Sequence, residues 1–293
     1  MALTGTNVAF GKAIVAVVPV YLFVFFRLAV ASAALMPLAY GEPGPSLTQM
    51  SRKQLRDLLL MSLLGLVGFT ALMLEGLKRT TAADAGIITA TLPAVVAALG
   101  VAFAGERLSR LQGLAIALAV AGLVLVQTAQ AAGGAATFAG NLLVAGAVLC
   151  EASFVILGKR LAPPYRPLRL ALATNMAGLA FAVPLVLIDW PAFDPHTVPA
   201  GTWLLGTWYA LSASVLCLWL WYRGLPHVET WLAGLATAAM PIAALATSAL
   251  YLGETIGVAR LIGAALVIAA IVLGASATPG NAAGGQPTGR IGS

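Results

Sequence analysis

Glu151 is the side chain of this sequence with the greatest capacity for chemistry, because it lies in the middle of a long apolar run. A carboxylate near the centre of a bilayer costs about 2.5 to 3.5 kcal/mol even on mild insertion scales, so it should face the interior of a helix bundle. Two roles are open. Either the carboxyl group couples transport to protons, or it forms an intramembrane ion pair with Arg27 and sets the polarity of a cavity.

Two prolines, Pro93 and Pro241, occupy matching positions near the middle of two other apolar runs. Proline removes the hydrogen bond to the carbonyl four residues earlier and opens that turn. Those carbonyls belong to Thr89 and Thr237, so each opened turn carries a hydroxyl. The pattern predicts either a pair of hinges with polar atoms for a substrate, or two packing kinks whose hydroxyls bond within their own helices.

Three further side chains are candidates for binding an organic solute, namely Asn7, Trp208 and Ser212. A buried amide such as Asn7 needs hydrogen-bond partners, which either a substrate or a neighbouring helix provides. Trp208 and Ser212 begin a stripe at helical spacing that continues to Tyr222. The stripe lines a cavity for aromatic or apolar solutes in one interpretation and is ordinary helix packing in the other.

The amino-acid composition indicates which structural elements hold these residues in position. Of 293 residues, 60% are hydrophobic and 9% are charged, so the chain must face lipid. Ten apolar runs are long enough to cross a hydrocarbon core of about 30 Å as helices, and backbone groups in lipid require helical pairing. We number them spans 1 to 10, predicted at 2–18, 20–40, 56–75, 83–104, 111–129, 139–158, 168–188, 202–222, 230–251 and 260–277. The predicted fold class is an all-α membrane protein.

The second half of the chain repeats the first. The block that contains Pro93 and Glu106 recurs 148 residues later with Pro241 and Glu254, and a shift of 147 relates Lys12 to Lys159. Five spans per copy is an odd number, so the second copy enters the membrane from the opposite side. The ten helices should therefore form two inverted five-helix repeats around a central cavity.

These repeats set the expected domain boundaries. Residues 1–131 and 138–277 are the two units, and 278–293, rich in glycine, alanine and proline, should be a disordered cytoplasmic tail. Span 1 is shorter than span 6, its counterpart, which favours a native chain that extends before Met1.

The net charge of +6 is distributed unevenly between the two sides of the predicted bundle. One set of connections contains Arg52, Lys53, Arg56, Arg107, Arg110, Lys159, Arg160, Arg166, Arg169 and Arg223. The opposite set contains Lys78, Arg79 and Arg260. The positive-inside rule then places both termini in the cytoplasm, with the protein in the cytoplasmic (inner) membrane. The positive charge is explained by topology, so no nucleic-acid partner is expected.

The sequence resembles the EamA branch of the drug/metabolite transporter superfamily, up to about Ala277. The residues that carry the resemblance are Gly11-Lys12, Arg27, Thr89 to Pro93, and Gly105 to Leu108. It implies ten helices in two inverted units, a cavity lined by spans 1, 3, 4, 6, 8 and 9, and peripheral spans 5 and 10. It also implies export of amino acids and other metabolites, and the pattern is similar to the YddG-type aromatic amino acid exporters of that family.

We therefore expect a secondary exporter of small organic solutes, working by alternating access, with aromatic or large neutral amino acids as the first substrate prediction. An exchanger of phosphorylated sugars is the alternative within the superfamily, although a phosphate site needs two or more buried basic residues and only Arg27 qualifies. A lipid-flipping or scaffold protein is the alternative from another class.

The remaining motifs argue against an enzyme. The sequence has no Walker motif, no HExxH and no GxSxG with a suitable histidine and acid. We expect no catalytic residue, no cofactor and no metal. The expected partners are a small-molecule substrate, the lipid bilayer and protons, with the protein a monomer or a homodimer.

Overall fold

The structure of the chain is a computed structural model. It describes residues 2–42, 49–92, 94–96, 98–99, 110–111, 113–115, 117–118, 121–122, 125, 137–161, 165–224, 239–253 and 257–276. Within these residues every regular element is a helix and none is a strand. Pro93, Thr237 and the predicted tail lie outside the described residues.

Helices occur where the hydropathy pattern predicts them. Five are long and apolar enough to cross a membrane, and they correspond to spans 2, 3, 6, 7 and 8: Val20–Tyr40, Arg52–Leu77, Phe138–Gly158, Pro167–Asp189 and Ala200–Gly224. Spans 1, 4, 9 and 10 correspond to Ala2–Val15, Ala82–Thr89, Ala239–Leu252 and Val258–Ser276. The described residues of span 5 between 110 and 125 are also helical.

Span 3 begins earlier than predicted. Its first helical residue is Arg52 rather than 56, because Ser51 caps the helix. The Ser51 hydroxyl accepts from the Gln54 N–H at 3.2 Å, and the Gln54 side chain accepts from the Ser51 N–H at 2.9 Å. This reciprocal capping box satisfies two N–H groups that a helix start leaves free, so polar residues are held in the helix.

Spans 2 and 7 pack side by side in opposite directions and are joined at both ends by carboxylates. Glu42 Oε2 accepts hydrogen bonds from the N–H groups of Leu168 and Arg169 at 3.1 and 3.2 Å. Asp189 Oδ2 accepts from the N–H groups of Tyr21 and the residue after it, at 2.9 and 3.2 Å. Each carboxylate satisfies free donors at the start of the other helix and faces its positive dipole end. We call the contacts of Glu42 and Asp189 the end clamps.

The end clamps follow the sequence repeat. The shift of 147 residues that relates Lys12 to Lys159 also relates Glu42 to Asp189 and Tyr21 to Leu168. The two clamps are thus the same contact with the helices exchanged. For spans 2 and 7, this is the relation that an inverted duplication requires.

A π-helical segment interrupts both span 3 and span 8 near its middle. The segments are Ser62–Gly68 and Leu211–Leu216, and the repeat shift of 148 residues overlays them. The first packs against spans 6 and 7, and the second against spans 1 and 2. These segments are not predictable from the sequence, because hydropathy periodicity does not distinguish a π turn inside a long apolar helix. π-Helical turns are uncommon and concentrate at functional sites.

The π segment of span 3 depends on a glycine for its close packing against span 6. A Cβ added at Gly65 would lie 2.3 Å from Cδ2 and 2.6 Å from Cγ of Phe154. We expect Gly65→Ala to lower the free energy of unfolding by about 1 to 3 kcal/mol through overpacking. Thermal unfolding of the detergent-solubilised protein measures this.

Two variants test that explanation. Gly201→Ala, where nothing lies within 4 Å of the added carbon, should leave stability unchanged or raise it. In the Gly65→Ala/Phe154→Ala double variant the Cγ and ring atoms that meet the added carbon are gone and only the Cβ contact at 2.6 Å remains, so the loss should be less than the sum of the two single effects. Strictly additive losses would contradict the packing explanation.

Candidate functional site

Asn7 and Ser212, both predicted as binding residues, contact each other between spans 1 and 8. Asn7 Nδ2 donates to Ser212 Oγ at 3.0 Å, and Asn7 Oδ1 lies 3.2 Å from the same hydroxyl oxygen. Both side chains are only 2% exposed. Ser212 belongs to the π segment of span 8. The pair is therefore an interhelical hydrogen bond at the interior face of that segment.

Arg27 lies in the interior and is linked to this pair through Tyr209, whose backbone carbonyl accepts from Ser212 Oγ at 3.2 Å. The Arg27 side chain is 5% exposed, and its guanidinium carbon lies 5.9 Å from the ring centroid of Tyr209. The Nε of Arg27 has no hydrogen-bond partner in the described part of the chain. A buried guanidinium with a free N–H is costly unless an anion or another acceptor reaches it.

Tyr209 belongs to this site but is not among the residues predicted from the sequence. It is buried, precedes Ser212 by three residues on span 8 and also packs edge-on against Phe23 of span 2. The predicted stripe started at Trp208, the residue before it. The spacing of three to Ser212 was the available signal, since residues three apart lie on neighbouring positions of one helix face.

Glu151 of span 6 interacts electrostatically with both Arg27 and Tyr209. The predicted ion pair between Arg27 and Glu151 is not a direct salt bridge among the described residues. The guanidinium lies against the Tyr209 ring instead, so the two charges interact through space. We call Asn7, Arg27, Glu151, Tyr209 and Ser212 the polar cluster.

The polar cluster occurs once in the chain, although the elements that form it occur twice. Under the repeat shifts its residues correspond to apolar or small polar side chains in the other copy, namely Phe154, Thr174, Thr4, Met61 and Leu64. Where Asn7 bonds Ser212, the equivalent ring of Phe154 fits against Gly65. The two charges therefore have no charged counterparts at the repeat-related positions.

Trp208 does not join the polar cluster. Its side chain is 48% exposed, whereas Ser212 and Tyr222, which the stripe placed on the same face, are buried. The π segment lies between them, and a π turn contains more residues than an α turn. Residues at spacings of four and three therefore do not stay on one helix face across the π segment. The interpretation of a continuous stripe on one face was wrong.

The proline-associated threonines are described in one copy only. The Thr89 hydroxyl donates to the Gly86 carbonyl at 2.7 Å within its own helix, as the packing-kink alternative predicts. Thr237 and Pro93 lie outside the described residues. Pro241 lies within the helix Ala239–Leu252. A substrate or hinge role at these positions stays a prediction.

The arrangement suits electrostatic and hydrogen-bond recognition more than covalent chemistry. Buried Arg27 and half-buried Glu151 are not directly paired among the described residues, and the Asn7–Ser212 amide–hydroxyl pair is buried. No group of three or more His, Cys, Asp or Glu side chains that would hold a metal occurs among the described residues.

Comparison with known proteins gives consistent results. The EamA-like transporter family matches residues 1–128 and 138–275. The transporter YetK of Bacillus subtilis is 31% identical over 276 residues, covering 92% of this chain and 83% of YetK. A probable terminal-alkyne amino-acid exporter of Streptantibioticus cattleyicolor is 28% identical over 253 residues, covering 84% of this chain and 81% of the exporter. A solved crystal structure with 20% identity aligns over 93% of this chain and 92% of its own, with a TM-score of 0.64.

Proposed function

We propose that this chain, which belongs to the EamA-like transporter family, exports small zwitterionic solutes, amino acids first among them. The observation that carries the proposal is a pair of opposite charges inside the bundle, buried Arg27 and half-buried Glu151, that form no direct salt bridge among the described residues. An α-amino acid carries a carboxylate and an ammonium group on one carbon. Each end of such a solute has a charge of opposite sign available in the polar cluster.

The roles follow from the donor and acceptor chemistry of the side chains. The free Nε of Arg27 takes the substrate carboxylate, because guanidinium N–H groups bind carboxylates in a planar fork. Glu151 takes the ammonium group. Asn7 and Ser212 exchange their mutual bond for bonds to the solute, which an amide and a hydroxyl do at little cost. Tyr209 holds the guanidinium by its ring face.

Alternating access is the proposed mechanism, because four of the five side chains of the polar cluster are buried and a solute reaches them only when the bundle opens. Spans 2 and 7, held at both ends by the end clamps, form the fixed axis in this proposal. The π segments of spans 3 and 8 are the proposed bending points, in addition to the prolines at 93 and 241. Ten spans in two inverted units, in an inner membrane with both termini cytoplasmic, complete the proposal.

Two further observations favour amino acids over phosphorylated sugars. Arg27 is the only buried Lys or Arg among the described side chains, and a phosphate group would need more than one. The similar protein of S. cattleyicolor is named an amino-acid exporter. A preference for aromatic or large neutral side chains, as in YddG-type exporters, is the finer part of the proposal.

Uptake into proteoliposomes with a panel of radiolabelled amino acids, with and without a pH gradient, tests this function. We expect saturable uptake of neutral amino acids and no uptake of the corresponding amines or carboxylic acids, which each lack one charge. A sugar phosphate, and a labelled phospholipid assayed for flipping, should not be transported. Transport of phospholipid without amino acid would instead support the flipping alternative.

Glu151→Gln distinguishes the two roles of the carboxyl group. If Glu151 binds the ammonium group, the variant should raise KM roughly 10- to 100-fold, because a charged hydrogen bond becomes a neutral one. If it also carries a proton, the variant should lose the response to the pH gradient. Unchanged KM together with unchanged pH dependence would remove Glu151 from the mechanism.

A further inference from the structure

The outer surface of span 3 carries a groove that the proposed transport cycle does not use. The groove has a volume of about 310 Å³ and lies between span 3 and Phe181 of span 7. Leu55, Leu59 and Leu63 line it in successive turns of one helix face, and each is partly exposed. Its wall is almost entirely apolar, so in a membrane it is filled by hydrocarbon and not by water.

Two arginines form the mouth of the groove. Arg52 and Arg56 lie one turn apart at the start of span 3, on the same face as the leucines. Arg56 contacts Asp57 at 3.1 Å but keeps 64% of its side chain exposed. Lys53, on the next face of the helix, is also exposed. The mouth therefore has an excess of positive charge.

The dimensions of the groove match one leaflet. From Arg52 to Leu63 the helix rises about 16 Å, close to half of a hydrocarbon core of about 30 Å. A single acyl chain in the groove would thus place its phosphate at the level of the two guanidinium groups. Guanidinium binds phosphate oxygens through paired N–H groups, and a headgroup with its own cation would be disfavoured beside Arg52 and Arg56.

We infer that this groove is a binding site for an anionic phospholipid of the phosphatidylglycerol class. The phosphate lies on Arg52 and Arg56, and an acyl chain lies along Leu55, Leu59 and Leu63 against Phe181. The site borders the π segment of span 3, which begins one residue before Leu63. A lipid bound there packs against the segment proposed to bend. The inference does not depend on which solute is exported.

Photo-crosslinking locates the lipid. The full-length protein is placed in phosphatidylcholine nanodiscs with a small fraction of phosphatidylglycerol or phosphatidylcholine that carries a diazirine on the acyl chain. Mass spectrometry then maps the labelled residues. We expect the phosphatidylglycerol probe to label 55–63 and Phe181 in preference to the phosphatidylcholine probe. Equal labelling of these residues by both probes would overturn the inference.

Variants test separately the contribution of the two arginines and that of the apolar groove. Each arginine near an anionic headgroup contributes about fivefold in affinity, so Arg52→Gln/Arg56→Gln should lower the labelling roughly 25-fold. Lys53→Gln, the matched control on the neighbouring face, should keep the preference for phosphatidylglycerol. Leu59→Trp should fill the groove and abolish labelling of Phe181, whereas Leu204→Trp, on an exposed face of span 8, should not. A preference that survives in the double arginine variant would overturn the assignment.

Discussion

Replacing Arg27 with glutamine is expected to lower amino acid transport by roughly 30- to 1,000-fold, since removing one partner of a buried charge pair costs about 2 to 4 kcal/mol. The same change should leave the thermal stability unchanged or raise it. The guanidinium is 5% exposed and its Nε lacks a partner, so the resting protein carries the cost of burying it. Initial uptake rates and unfolding temperatures of the same preparations measure both effects.

Two companion variants distinguish a binding role of Arg27 from a structural role. Arg27→Lys keeps the charge but loses the planar fork, so it should retain part of the transport with a raised KM. Arg79→Gln removes an exposed arginine that contacts Glu75 at 3.0 Å outside the cluster, and its transport should match the original protein. If Arg27→Gln lost stability and transport together, Arg27 would have a structural role and would not bind the solute.

Removing the end clamps should produce the largest loss of stability. Glu42→Ala and Asp189→Ala each leave two N–H groups at a helix start without their acceptor. Each should cost about 1 to 2 kcal/mol, as the loss of a helix cap does. The clamps lie at opposite ends of helices about 30 Å long, so their effects should add to about 2 to 4 kcal/mol in the double variant. Denaturant or thermal unfolding in mixed micelles measures this.

Because the two end clamps are equivalent, the stability losses of the two single variants can be compared directly. The two single variants should lose similar amounts, because the contacts are the same with the helices exchanged. Asp194→Ala, which removes a carboxylate that accepts from the His196 N–H at 2.9 Å in an exposed connection, should change stability by a few tenths of a kcal/mol only. A large loss from one clamp and none from the other would show that only one end joins spans 2 and 7.

Several residues show how much of the site could be predicted from the sequence pattern alone. Asn7, Arg27, Glu151 and Ser212 are predictable as interior residues because polar side chains in apolar runs must avoid lipid, and all of them except Glu151 are buried, together with Tyr209. Which of them meet was not predictable, and the direct pairing of Arg27 with Glu151 did not occur. The predicted stripe from Trp208 to Tyr222 does not keep one helix face, since it relies on α-helical spacing through Leu211–Leu216, and a binding role of Trp208 stays a prediction.

The membrane class, the positions of the described helices and the duplication follow from the sequence alone, because lipid requires every backbone group to pair within its own segment and hydropathy is a local property of the chain. Tertiary structure decided the rest. The rotation of each helix about its axis is set by packing against its neighbours, which hydropathy does not encode. That rotation brings Tyr209 to Arg27, joins Glu42 and Asp189 to the opposite helix and places the only buried arginine of the described residues on one side of the core.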